Sequence, residues 1–185
     1  FKPLTVMMAW EDYMYTGNSD SLSKNYDVLK EKVLTNYVND LFLTEKDPGG
    51  GEFGKDLVDW PNTQRDDYVF TPVNTVVHAF NCKAVQTLGH IAGVLGRAEE
   101  SNAYLAQAEN MRKAMNTHLY DAATGRFRDG LHVDHYALHA SAYPLALGLV
   151  DEDKVAPVAR YAASRGMAVS VYGAHYLLFG LFQAG

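Results

Sequence analysis

The sequence alternates between two kinds of helical segment, and this alternation limits the folds open to it. Segments that begin near residues 4, 74, 135 and 171 are apolar on nearly all sides, whereas those that begin near 22, 99 and 151 are apolar on one face only. A helix that is apolar all round must be covered on every side, while an amphipathic helix covers only its inner face. The pattern predicts an all-α fold with two concentric layers, in which hairpins run inner, outer, inner.

Spacing and turn residues give bounds for several of these segments. The first ends at Thr16-Gly17-Asn18. "HYALHASAYPLALGLV" predicts an inner helix that begins at His135, and "LYDAATGRFRDG" predicts a small hairpin near 119–130 because it breaks the helical period around a Thr-Gly pair. The second segment predicts one long amphipathic helix, since its apolar residues recur at three- and four-residue steps: Leu22, Tyr26, Leu29, Val33, Tyr37 and Leu41.

The connections between helices are unequal in length. Those leading into inner helices, over 42–73, 119–134 and 165–170, are longer or less regular than joins such as "GRAEES" and "LVDEDK". In a ring of antiparallel hairpins, all connections into inner helices lie on the same rim, and long loops on a rigid scaffold are where sites are usually built. We therefore expect Trp60, His135 and Tyr172 to lie on one rim.

Charge and composition exclude several classes of function. The net charge of −6 is unsuited to a nucleic-acid groove. No apolar run approaches the roughly 18 residues of a membrane helix. The single cysteine, Cys82, lies in a helical pattern and is interpreted as a small core residue rather than a reactive thiol.

Two motifs resemble known sites but lack their chemistry. "GGGEFGKD", Gly49 to Asp56, nearly matches a phosphate-binding loop, but Asp56 stands where a magnesium-binding hydroxyl is needed. In "HVDHYALH", His135 and His139 are four residues apart and could share a helical face as metal ligands do, but no third ligand is well placed. We predict neither a nucleotide site nor a metal site, and no cofactor.

The stretch "DLVDWPNTQRDDYV" combines an aromatic residue with several charges in the longest non-helical segment. Trp60 either fills a hydrophobic gap or presents its face to a sugar ring, while Asp59 would accept hydrogen bonds from hydroxyl groups. Glycoside hydrolysis needs two carboxyl groups, and spacing alone selects no pair from the candidates near the rim. These candidates are Glu52, Asp59, Asp66, Asp67 and Asp134.

Four blocks carry a resemblance to a known family. They are "LVDWPNTQRDDYVFTPVNTVVHAFNCKAVQTLGHIAGVLGR", "HLYDAATGRFRDG", "DHYALHASAYPLALGLV" and "SRGMAVSVYGAHYLLFGLFQAG". In this order they resemble the central part of the catalytic domain of bacterial α-L-rhamnosidases, glycoside hydrolase family 78. The resemblance implies an (α/α)6 toroid of six helical hairpins that hydrolyses terminal α-L-rhamnosyl groups with inversion.

The family pattern also implies where the catalytic groups lie. The acid belongs to an Asp–Arg–Glu stretch upstream of this region, and the base is a glutamate downstream of it, so we expect neither in this chain. We expect residues 1–185 to be a single fragment, about half of the ring, that is inactive alone. No catalytic residue is carried over; the predicted substrate-binding residues are Trp60, Asp59, His135 and Tyr172.

Partners and alternatives follow from the same considerations. The expected partners are a rhamnose-containing carbohydrate and the remainder of the same catalytic domain, which would cover apolar ends such as "YLLFGLF"; self-association is a further possibility. The compartment stays open between the bacterial cytoplasm and the periplasm or exterior. Two alternatives stay open: another six-hairpin glycosidase, acting on glucosides or uronides, and a non-catalytic helical-repeat interaction module.

Overall fold

The computed structural model describes residues 1–47 and 56–185. The described residues form seven α-helices, with bounds as follows: α1 (Lys2–Thr16), α2 (Asp20–Lys30), α3 (Thr75–Val94), α4 (Ala98–His118), α5 (Leu138–Ala146), α6 (Glu152–Ser164) and α7 (Val171–Ala184). Two short strands, β1 (Tyr120–Asp121) and β2 (Arg126–Phe127), pair antiparallel between α4 and α5. This confirms the predicted hairpin. Glu52 and all but the last residue of the phosphate-loop-like motif lie outside the described residues.

The helices form the two predicted layers. The odd-numbered helices pack side by side, with α1 on α3, α3 on α5 and α5 on α7. The even-numbered helices lie against their neighbours in sequence: α2 on α1 and α3, α4 on α3, and α6 on α5 and α7. The alternation of segments apolar all round with segments apolar on one face therefore corresponds to alternation of inner and outer helices.

Burial separates the middle inner helices from those at the two edges. All nine residues of α5 are buried, and the buried residues of α3 lie on every side of the helix. In contrast, α1 buries Pro3 and Val6, and α7 buries little more. Large apolar side chains such as Met14 and Phe182 are 61% and 85% exposed. Within the described residues α1 and α7 are therefore not buried all round, because no second neighbour covers their outer edges there.

Two helices are shorter than predicted. The long helix over 22–41 ends at Lys30, and Tyr37 and Leu41 are about half exposed. Further along, the Asn39 side chain accepts the backbone N–H groups of Leu41 and Leu43, an alternative to the helical pattern in the last part of the predicted helix. The N–H of Leu34 donates to the buried Asn81 side chain, 2.7 Å away, which ties this segment to α3 instead.

The other shortened helix is α5, which begins at Leu138 rather than at His135. The backbone N–H of Ala137 donates to the Asp129 carboxylate over 2.7 Å, and that of Leu138 donates to the Asp66 carboxylate over 2.8 Å. Carboxylates suit the start of a helix, where N–H groups lack partners within the helix and the dipole is positive. His135 therefore lies before the helix and does not share a helical face with His139.

The interpretation of Cys82 as a core residue is confirmed. Its side chain is 1% exposed within α3, and its thiol donates to the backbone oxygen of Ala108 at 3.3 Å.

Candidate functional site

The three connections that lead into inner helices meet on one rim, as predicted. They are residues 56–74, hereafter the DWP loop, together with 119–137 and 165–170. The backbone of Asn74 pairs with that of Gly130, and Val69 N–H donates to the Asp129 carboxylate over 2.8 Å, joining the first two connections. The carboxylate of Asp59 accepts the backbone N–H of Ser170 over 2.9 Å, which joins the first and third.

Asp59 is the buried anchor of the DWP loop. Its side chain is 0% exposed and accepts a hydrogen bond from His139 Nε2 at 2.8 Å. It also accepts the N–H of Trp60 at 2.8 Å and both the N–H and the hydroxyl of Ser170. Burial alone would raise the pKa of Asp59, but these hydrogen bonds outweigh burial and hold it below its ordinary value. Asp59 is therefore an ionised carboxylate that fastens the loop to α5 and to the start of α7.

Trp60, which follows this anchor, points its side chain outward. It is 59% exposed, while its neighbours in the chain, Asp59 and Val58, are fully buried. Arg65 Nε donates to the backbone oxygen of Asp59 at 2.8 Å, which closes the turn over residues 59–65. The interpretation of Trp60 as a plug in a hydrophobic gap is wrong within the described residues. An exposed aromatic side chain on a fixed backbone is available as a platform for a ligand.

Tyr172 lies on the same network as Trp60. Its N–H donates to Ser170 Oγ, 3.1 Å away, and Ser170 in turn binds Asp59. Its ring packs edge-to-face against Tyr143 and Tyr176, and burial raises the pKa of its hydroxyl well above the ordinary range. The backbone N–H groups of Trp60 and Tyr172 thus join one network, the first directly at Asp59 and the second through Ser170.

His135 belongs to a second, separate network. Its Nδ1 lies 2.6 Å from the carboxylate of Asp129, which is fully buried and also accepts the N–H groups of Val69 and Ala137. With Nδ1 committed to Asp129, Nε2 is left on a side chain that is 37% exposed. His135 lies on the predicted rim, but it does not join the Asp59 network.

Sequence reasoning missed the residues that hold these networks together. The sequence identifies no partner for His139; the structure places it on Asp59 while His135 is on Asp129, so the two histidines bind different carboxylates. Ser170 has a recognisable signal, because serine is favoured at a helix N-cap and its hydroxyl accepts the N–H of Tyr172. For Asp129 no local pattern separates it from other loop carboxylates.

Over residues 1–47 and 56–185, no group of three or more His, Cys, Asp or Glu side chains is arranged to hold a metal ion. Across the same residues, no helix combines the length and the apolar character needed to cross a membrane.

The helical hairpins form two layers, and their connections lie on one rim. This arrangement is that of an (α/α) toroid, and the chain forms part of such a toroid. The family comparison is more specific. The model of the bacterial α-L-rhamnosidase six-hairpin glycosidase domain matches residues 2–185, and the chain belongs to this family. No match was found among curated protein sequences.

Solved structures show the same fold. The chain is similar to a glycoside hydrolase family 78 rhamnosidase of Bacillus sp. GL1, with 21% identity and a TM-score of 0.78, covering 97% of this chain and 19% of that one. It is similar to an α-L-rhamnosidase from Dictyoglumus thermophilum, with 20% identity, a TM-score of 0.73, and coverage of 97% and 20%. It is also similar to a Streptomyces avermitilis α-L-rhamnosidase complexed with L-rhamnose, with 18% identity and a TM-score of 0.69. This match covers 97% of this chain and 16% of that one. The chain spans about a fifth or less of the length of each.

Proposed function

We propose that this chain supplies the substrate wall and the scaffold of an enzyme that hydrolyses terminal α-L-rhamnosyl groups with inversion. One observation carries the proposal: an exposed indole, Trp60, stands on a backbone that the buried Asp59 fixes to two inner helices. Membership of the six-hairpin family supports the reaction class. The complex of the Streptomyces avermitilis relative with L-rhamnose supports the substrate class.

The proposed contacts follow from the chemistry of a 6-deoxy sugar. The aliphatic C–H face of the ring would lie on the indole of Trp60, where apolar burial and polarised C–H contacts both favour binding. The hydroxyl of Tyr172 would serve as a hydrogen-bond partner beside it. Asp59 is fully buried, so in this proposal it orients Trp60 and does not touch the sugar. His135 belongs to the adjoining part of the rim.

We also propose that the catalytic acid and base are not among Asp59, Asp66, Asp67 and Asp134. A general acid in this chemistry needs a raised pKa, and the pKa of Asp59 is lowered. Asp66 is committed to Leu138 N–H and to Arg165. Asp67 and Asp134 are exposed loop carboxylates that none of the described residues encloses.

The partner proposed for the open edges is the remainder of the same catalytic domain. Exposed apolar side chains on α1 and α7, such as Met14 and Phe182, lie on the two helices that a continued ring would cover. Light scattering of the isolated chain tests whether these edges also support self-association. A monomer at all concentrations would reject self-association.

Binding is tested with Trp60 as its own reporter. The chain has two tryptophans, so Trp10→Phe leaves the fluorescence of Trp60 alone. We expect methyl α-L-rhamnoside to change this emission saturably, and Trp60→Ala to abolish binding, measured calorimetrically, while the melting temperature stays within a few degrees. A large loss of melting temperature in Trp60→Ala would mean that Trp60 stabilises the fold instead.

Turnover and specificity separate the remaining alternatives. An aryl α-L-rhamnoside should not be hydrolysed by the 185-residue chain, and turnover at the rate of a complete enzyme would refute the absence of the catalytic pair. Binding of a D-glucuronide in preference to methyl α-L-rhamnoside would favour a different six-hairpin glycosidase. No binding of any sugar would favour a non-catalytic helical-repeat module.

A further inference from the structure

The rim carries a polar cleft beside the Asp59 network. It has a volume of about 270 Å³ and is lined by eight residues: Asp66, Asp67, Arg126, Asp134, His135, Tyr136, Tyr161 and Arg165. They come from all three rim connections and from β2 and α6. Neither Trp60 nor Tyr172 lines it.

Part of the lining is committed to structure. Asp66 accepts the N–H of Leu138 and forms an ion pair with Arg165, so both of these charges are compensated. The Tyr161 hydroxyl donates to the backbone oxygen of Tyr136. These contacts fix one part of the cleft lining. The polar groups available to a ligand are those of Asp67, Arg126, Asp134 and His135.

One uncommitted donor of the cleft is the Nε of Arg126, whose guanidinium otherwise hydrogen-bonds the Tyr161 side chain. Arg126 stacks its guanidinium over the rings of Tyr136 and Tyr161, with centroids 4.1 and 5.2 Å away. Its Nε is buried without a hydrogen-bond partner, and within the described part of the chain no carboxylate forms an ion pair with it, although the nearby Arg128 pairs with Asp121 at 3.4 Å. A planar cation held between two rings and short of an acceptor is suited to binding a ligand oxygen.

Acceptors face the same cleft. Asp67 is exposed and has no ion-pair or hydrogen-bond partner among the described residues. Asp134 is exposed, and only its Oδ1 accepts a hydrogen bond, from the Tyr136 hydroxyl 3.0 Å away. The same hydroxyl also binds Asp121. His135 adds a ring nitrogen, Nε2, whose opposite nitrogen is fixed by Asp129.

This mixture of groups selects the chemistry of the ligand. With Asp66 and Arg165 compensated, the carboxylates of Asp67 and Asp134 would repel an anion, and the guanidinium of Arg126 would repel a cation. Spare donors and acceptors in fixed directions suit a neutral molecule with several hydroxyl groups, because each hydroxyl both donates and accepts. The cleft volume lies just below the range of ligand pockets, which begins at about 300 Å³, and suits a single ring.

The position of the cleft connects it with the proposed sugar wall. Asp59 binds the side chain of His139 and Asp66 binds the backbone of Leu138, so the two carboxylates of one loop hold adjacent residues of α5. We infer that the cleft binds a second, neutral sugar ring of the glycan whose terminal rhamnosyl group lies on Trp60. This inference rests on the proposed function for the first ring.

The test compares one-ring and two-ring probes on the 185-residue chain. The one-ring probe is methyl α-L-rhamnoside. The two-ring probe is its α-linked conjugate with D-glucose, joined through sulfur so that it resists hydrolysis. Calorimetry gives both affinities for the wild type and for Asp134→Ala, with Asp40→Ala as an equally exposed control. Thermal melting verifies that each variant is folded.

The expected result is a selective loss. The two-ring probe should bind the wild type about tenfold tighter than the one-ring probe, since a hydrogen bond to a charged group contributes at this level. Asp134→Ala should lose that gain and bind the one-ring probe as the wild type does, while Asp40→Ala keeps it. Equal affinities for the two probes, or an equal loss for both probes in Asp134→Ala, would overturn the inference.

A third probe separates failure of the inference from failure of the proposed function. If methyl α-L-rhamnoside does not bind but methyl β-D-glucoside binds in a way that depends on Asp134, the rhamnosyl wall at Trp60 is refuted and the cleft stands as a sugar site. If methyl α-L-rhamnoside binds through Trp60 and the second ring adds nothing, the proposed function stands and the cleft inference fails.

Discussion

Replacement of Asp59 by alanine is the most direct test of how the DWP loop is held. The carboxylate is 0% exposed and takes four donors: the N–H of Trp60, Nε2 of His139, and the N–H and hydroxyl of Ser170. A buried donor left without a partner costs about 1–3 kcal/mol. His139 is itself 0% exposed, whereas water can reach Trp60 and part of Ser170. We therefore expect Asp59→Ala to lower the free energy of unfolding by about 3–5 kcal/mol, near the upper end for point mutants.

Asp59→Asn distinguishes hydrogen bonding from the loss of volume. The amide is nearly isosteric but turns one acceptor into a donor that faces other donors, so an intermediate loss of about 1–3 kcal/mol is expected. Urea unfolding followed by circular dichroism gives the free energies, and Asp40→Ala, at an exposed site, should change them by less than about 0.5 kcal/mol. A loss below about 1 kcal/mol for Asp59→Ala would refute the reasoning, because solvated or weak hydrogen bonds would then explain the geometry.

The same carboxylate gives a pH dependence of known sign. The hydrogen bonds hold the pKa of folded Asp59 below 3.8, its ordinary value. Its stabilising contribution is therefore complete above pH 3.8 and is lost as the pH falls through the lower folded pKa. The difference in unfolding free energy between the wild type and Asp59→Asn should shrink below pH 3.8. A difference that stays constant there would show that the charge does not stabilise the loop.

Three further predictions concern the packing around this rim and in α3. Gly173→Ala should destabilise the fold by about 1–3 kcal/mol in urea unfolding, because its Cβ would lie 2.6 Å from Asp59 Oδ2, whereas Gly93→Ala, whose nearest contact is 3.3 Å, should be close to neutral. Burial lowers the pKa of His78 to about 4, so between pH 6.5 and 4 the histidine takes up a proton mainly in the unfolded chain. The free energy of unfolding should therefore fall by about 3 kcal/mol over this pH range, and His78→Gln should remove this pH dependence. Burial raises the pKa of the Cys82 thiol to about 12, so a disulfide reagent at pH 8 should label it only as fast as the chain unfolds.

The layered fold could be predicted from the sequence because the burial of a helix determines how its apolar residues are spaced. The middle inner helices, α3 and α5, are apolar on every side and are buried on every side. The period was misleading at residues 31–41, where Tyr37 and Leu41 continue it while lying about half exposed. There a single side chain, Asn39, offers the backbone local hydrogen bonds, and no count of apolar residues includes that competition.

The candidate site was only partly accessible. The geometry of a hairpin ring is enough to predict that Trp60, His135 and Tyr172 lie on one rim. It could not show that Tyr172 shares the Asp59 network while His135 belongs to Asp129, because side chains far apart in sequence choose their partners only when the loops fold. Substrate binding by these residues stays a prediction.

The charges of the DWP loop are best understood through what they hold in place. Asp59 binds His139 and Ser170, and Asp66 binds Leu138 and Arg165, so each carboxylate joins the start of α5 to the connection before α7. Two such links, seven residues apart in one loop, fix its backbone at both ends of the segment between them. Trp60 lies inside that segment and contributes little burial of its own, so its orientation is set by the carboxylates rather than by packing of the indole. A side chain held in this way keeps its exposed face available to a ligand, and that is the property a sugar-binding wall requires.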